Sequence, residues 1–128
     1  MSGLDLIKAE RQRQINVEGW TDAHDNENGA NGELEAAARF YINAGENGTE
    51  WPWITKPKLK DARTNLIRAG ALLLAEIDRL ERKQVMWQTI MGFAIRNETH
   101  RAIERVSGMV EWIVCQLRQV DATLPPPA

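Results

Sequence analysis

Apolar positions along this chain recur at helical spacing, and polar, glycine-rich stretches separate them. Leu4, Ile7 and Ile15 predict a first helix over residues 4–17, with Ser2 as its cap. Residues 19–32 are rich in Asn, Asp and Gly and predict a solvated loop held by Asx turns. Asn31 stands where it can cap a second helix over 33–44, in which Leu34, Ala37, Ala38 and Tyr41 share a face. Gly45 and Gly48 end that helix. The next loop carries Trp51, Pro52, Trp53 and Pro57 and predicts a packed, rigid connection.

A third helix is predicted over 60–83, with Leu66, Ala69, Leu73, Ala75, Ile77 and Leu80 on its apolar side. Gly70 inside it costs about 1 kcal/mol relative to Ala, so it predicts the close approach of another helix or a ligand. Residues 84–120 are also helical in pattern, with a break near Asn97, which can cap the final helix. There Ile103, Val106, Val110, Ile113, Leu117 and Val120 alternate steps of three and four, a heptad seam. The seam packs either inside the bundle or against a second copy. Residues 123–128, with three successive prolines, predict a disordered tail. No segment alternates as a strand does. The expected architecture is all-α: a compact bundle of about four to five helices forming one domain over 1–122, with a homodimer through the C-terminal helix as one possible assembly.

A chain of 128 residues suffices for one modest core. Its 43% hydrophobic and 27% charged residues set it apart from disordered chains. No apolar run reaches the ~20 residues of a membrane helix, and no apolar signal core follows the N-terminus. Cys115 is the only cysteine, so no intramolecular disulfide forms, and it sits among Ile113, Val114 and Leu117, which predicts burial. These features together predict a cytoplasmic protein. A net charge of −2 does not indicate nucleic-acid binding. The charge is uneven, however. Between Glu18 and Glu50 stand eight acids and one base, Arg39; between Lys56 and Arg68 stand five bases and one acid, Asp61. The basic stretch reads either as a solvated face or as a site for a phosphate or an acidic partner.

Candidate chemistry is sparse. Glu33 and Glu35 are two residues apart and diverge by about 200° around a helix. Ala36 and Arg39 occupy places where further acids would complete a hard-cation site, and Glu76 has Arg79 three residues on. Glu33 is the twelfth position counted from Asp22, as in a calcium loop, but Glu27 stands where that loop needs glycine. His24, His100 and Cys115 do not make a zinc set. Five tryptophans are many beside two phenylalanines and one tyrosine. Trp20, Trp51 and Trp53 lie in loops, as core anchors or as platforms for a base. Trp87 and Trp112 lie on helices and read as core or interface.

One run reads Glu10-Arg11-Gln12-Arg13-Gln14, then Glu18-Gly19-Trp20-Thr21, then His24-Asp25. Later come Trp51-Pro52-Trp53, Lys56-Pro57-Lys58 and Leu66-Ile67-Arg68-Ala69-Gly70-Ala71-Leu72. Over about residues 5–82 this resembles small phage proteins related to MazG-like helical nucleotide pyrophosphohydrolases. The resemblance implies an all-α bundle, often dimeric, that uses magnesium and nucleoside triphosphates. The catalytic pattern departs from it. Paired carboxylates on the second helix are reduced to Glu33 and Glu35, and Asn65 and Arg68 stand where Glu and Asp are expected on the third.

The expectation is therefore a non-catalytic binding protein without a cofactor. Its partner would be a nucleotide or a host protein, such as a defence factor of the CRISPR type. Arg11, Arg13, Trp51, Trp53, Lys58, Arg63 and Arg68 are the candidate contacts, and Arg63 or Lys60 can join Arg68 on a phosphate. Two alternatives stand beside it. One is a magnesium-dependent pyrophosphohydrolase with Glu33, Glu35, Glu76 and Asp78 on the metal. The other is a structural dimer through Ile103, Val106, Val110, Ile113 and Leu117.

Overall fold

The computed structural model describes residues 2–91 and 98–123, apart from the side chains of Trp87 and Met91. These residues form α1 (Gly3–Asn16), α2 (Asp22–Asn28), α3 (Glu33–Ile42), α4 (Ala62–Met91) and α5 (Glu98–Thr123), with no strand among them. The all-α expectation holds. α4 is the axis of the fold, since α1, α2, α3 and α5 all pack against it. Its 30 residues span about 45 Å. α5 runs antiparallel to it: Arg63, at the start of α4, pairs at 2.7 Å with Asp121, at the end of α5.

Several local expectations need correction. Ser2 does cap α1, in a reciprocal capping box with Asp5. The 19–32 loop instead contains α2, because the Thr21 hydroxyl accepts the His24 N–H and starts a helical turn. Asn31 does not cap α3. Gly32 holds that position at φ 85°, a left-handed conformation that a side chain resists, and the Asn31 N–H donates to the Glu33 carboxylate. α4 passes through residue 83 without a break and is described as far as Met91. Asn97 and residues 124–128, where a cap and a tail were expected, lie outside the described residues.

The core joins Ile7, Leu34, Ala37, Ala38, Leu72 and Leu73 to Val106, Val110, Ile113 and Leu117. The heptad seam is therefore spent inside the chain, against α4, with Ile103 packed at its edge. Gly70 is the close approach its position predicted: a Cβ there would lie 2.7 Å from Ile7 Cδ1. The buried face of α1 differs from its apolar pattern. It consists of Ile7, Arg11 and Gln14, whereas Leu4 remains 38% exposed. Cys115 and Trp112 also face outward, so the expected burial of the cysteine fails. The helical period that buries Ile113 and Leu117 turns Cys115 away from the core. Among the described residues no helix is long and apolar enough to cross a membrane.

Candidate functional site

Two arginines on α1, two residues apart, have opposite fates. Arg11 is buried, pairs at 2.7 Å with the fully buried Asp25, and donates to the Trp20 carbonyl at 2.9 Å. It ties α1 to α2 and is unavailable to a ligand. Arg13 projects about 200° around the helix from Arg11 and is paired with Glu10 and, at 3.3 Å, with Glu18. Glu18 also takes Lys58 at 2.6 Å. Lys58 first, and then Arg13, hold the Glu18 carboxyl below its ordinary range.

That charge cluster forms one wall of a pocket of about 250 Å³. α1 and its exit supply Arg13, Gln14, Glu18 and Trp20; α3 supplies Tyr41; the following loop supplies Trp51, Thr55, Lys56 and Lys58; α4 supplies Arg68. The loop is tied to α3 and α4. The Tyr41 hydroxyl accepts the Lys58 N–H at 3.0 Å, and Arg68 donates to the Lys58 carbonyl. Asn65, buried on α4, clamps Lys60 in both directions, at 2.8 and 3.0 Å. The amide at that position therefore serves the loop. Trp53 donates to the Asn28 carbonyl at 3.0 Å and packs at 5.1 Å from Trp51, which also meets Tyr41 edge-on at 5.5 Å. Trp20 stacks on His24 at 6.0 Å. These rings anchor the loops, as the commoner use of tryptophan predicts.

Polar satisfaction is incomplete at this place. Among the described residues, buried side-chain atoms without a hydrogen-bond partner are Arg11 Nε, Gln14 Oε1, Trp51 Nε1, Arg68 Nε and Arg82 Nε. Gln14, Trp51 and Arg68 all line the one pocket. Each unpaired group costs about 1–3 kcal/mol in a dry site. Buried polar groups are normally paired, and clustered exceptions mark strain or a binding site.

Of the sequence-derived contacts, Arg13, Trp51, Lys58 and Arg68 come together here. Arg11 is structural, Arg63 is engaged by Asp121, and Trp53 lines a neighbouring hollow with Trp20 and His24. Gln14, Glu18 and Tyr41 were missed. Glu18 meets Lys58 across 40 positions, and no local pattern announces such a pair.

Three of the four carboxylates considered for magnesium lie within reach of one another's charge, but each already has a partner. Glu35 is held by Arg39 at 3.2 Å and Arg105 at 3.0 Å, Glu76 by Arg79 at 2.6 Å, and Glu33 accepts the Asn31 N–H. Burial raises the Glu76 carboxyl, and the charges of Glu35 and Glu33 add to that. Asp78 is set in a different field, that of Arg11, Arg82, Asp22 and Asp25. Among the described residues no group of three or more His, Cys, Asp or Glu is placed to hold a metal ion, so this set does not fit magnesium. No family model, curated protein or solved structure matches the chain.

Proposed function

We propose that this chain is a non-catalytic binding protein that captures a nucleotide in the pocket between α1, the 51–60 loop and α4. The observation that carries this reading is the convergence of four cationic and three aromatic side chains on one pocket. The cations meet a phosphate and the rings meet a base. The resemblance to phage proteins adds a setting, interference with a host signal or defence system in the bacterial cytoplasm, and rests on that resemblance alone.

Calorimetry with nucleoside triphosphates, with and without magnesium, tests the reading when joined to a pyrophosphate assay. Binding that needs no magnesium and yields no pyrophosphate is expected. Pyrophosphate release that depends on magnesium and is lost in Glu33→Ala would establish the enzyme instead. A host-protein partner is favoured by one feature, Ile54, which is apolar and fully exposed on the same loop. That alternative predicts no nucleotide binding and a complex that Ile54→Asp dissociates.

A further inference from the structure

We infer that the chain carries a site of spontaneous modification at the exposed Asn31–Gly32 bond, where the asparagine loses ammonia and becomes aspartate or isoaspartate. The inference stands apart from the pocket and does not depend on any ligand. The sequence holds three Asn–Gly bonds: Asn28–Gly29, Asn31–Gly32 and Asn47–Gly48. Asparagine is a thermolabile side chain, and a following glycine, having no side chain of its own, leaves its nitrogen open to approach. Residue type alone ranks the three equally. The fold separates them.

In the reaction the Gly32 backbone nitrogen gives its proton to hydroxide and attacks Cγ of Asn31. A C–N bond forms, the Cγ–Nδ2 bond breaks, and the amide nitrogen takes up a proton and leaves as ammonia. The product is a five-membered succinimide. One water then opens either of its carbonyls, giving aspartate or, with the backbone rerouted through the side chain, isoaspartate. Nothing is oxidised or reduced, and water is the only co-reactant. The reaction needs a backbone N–H that is not held in a hydrogen bond, a side chain free to turn onto it, and room for the ring.

Asn28 fails on all three counts. The Gly29 N–H donates to the Asp25 carbonyl at 2.8 Å, and Asn28 Nδ2 donates to the His24 carbonyl at 3.0 Å. Gly29 is buried, and a Cβ there would lie 2.8 Å from Leu34 Cδ1. Asn31 meets all three. Asn31 and Gly32 are both exposed, and among the described residues neither the Asn31 side chain nor the Gly32 N–H bonds to a protein group. A Cβ at Gly32 would have nothing within 4 Å. Asn47 is intermediate: Gly48 is as open as Gly32, but Asn47 Nδ2 donates to Asn43 Oδ1 at 2.8 Å, which holds the side chain back. At Asn31 the new carboxylate would appear where the backbone N–H now holds Glu33 at 3.0 Å, in the stretch that already has eight acids and one base.

The test is incubation of the full chain in mildly alkaline buffer, with peptide mass spectrometry to read each asparagine separately and isoaspartate-specific methylation as a second readout. In the folded chain Asn31 should convert at least about tenfold faster than Asn28, which reacts only when α2 opens. Asn47 should fall between them. In urea the three should converge to within about threefold, because the protection goes with the fold. Asn31→Gln keeps an exposed amide but makes ring closure slower, and should remove the fast phase of ammonia release. Conversion of Asn28 or Asn47 at the pace of Asn31 in the folded chain overturns the assignment. Conversion of Asn31 at least about tenfold slower in the folded chain than in urea overturns it as well, since the fold then protects that bond.

Discussion

The α4–α5 hairpin and the loop-rich half around α1, α2 and the tryptophans are built on different principles. The hairpin buries aliphatic side chains in one continuous seam, with Val106, Ile113 and Leu117 set against Leu72 and Leu73. Its cohesion is nondirectional and scales with area. The loop-rich half is held by directed contacts: Arg11 on Asp25, Trp53 on the Asn28 carbonyl, Lys58 on Glu18, and the amide of Asn65 on Lys60. Directed contacts must be completed one by one, and three of the five buried atoms left without a partner belong to residues that line the pocket. The comparison teaches where a small helical protein can keep a polar site. It lies beside the core, where loops can present polar groups and the hairpin supplies rigidity.

The largest test strikes the hairpin. Ile113 is 0% exposed, so Ile113→Asp should cost more than about 4 kcal/mol and leave the chain largely unfolded by circular dichroism. A variant that stays helical and melts near the parent temperature would mean that the seam is not core.

The next test strikes the other half at its one fully buried ion pair. Arg11→Ala leaves the buried Asp25 with only His24 Nδ1, at 3.2 Å, and should cost about 3–5 kcal/mol in urea unfolding. Adding Asp25→Ala should recover part of that loss, because the uncompensated charge goes with it. A single-variant loss below about 0.5 kcal/mol, the level of a surface change, would remove the pair from the account.

The smallest effect separates the halves by the sign of their pH dependence. Burial raises Glu76 above its ordinary value of 4.5, so the folded state holds that proton more tightly than the unfolded chain does. Stability from this group therefore falls as pH rises from about 4.5 through the raised value. Glu18 is depressed by Lys58 and Arg13, so its contribution is present above 4.5 and is lost as pH falls through the lowered value. Thermal melts at pH 7 should show Glu76→Gln raised and Glu18→Gln lowered relative to the parent. Both differences should shrink in acid. Shifts of the same sign in both variants would contradict the assignment.

The halves also differ in how legible they were. Hairpin positions such as Val106, Val110, Ile113 and Leu117 could be read from their spacing, since apolar burial follows helical period. The same logic failed on α1, where Arg11 and Gln14 occupy the buried face that an apolar pattern would have given to neighbours. Charged and amide side chains are buried only when partners await them, and Asp25 lies 14 positions away. α2 escaped notice because its seven residues, polar but for Ala23, carry no apolar period; its cap and its place against α4 stabilise it. Of the pocket, the cations and Trp51 were visible as residue types, whereas Gln14, Glu18 and Tyr41 had no local mark.

By itself the sequence determined the all-helical class, the aliphatic core of the hairpin and the concentration of cations after residue 55. Each follows from periodicity or composition, which act over a few neighbouring residues. Only the tertiary structure decided that the heptad seam faces inward, that Arg11 is structural while Arg13 borders a pocket, and that three polar atoms there lack partners. Those outcomes depend on which distant groups meet in space. Pairing and desolvation are properties of that meeting, and no stretch of the chain carries them alone.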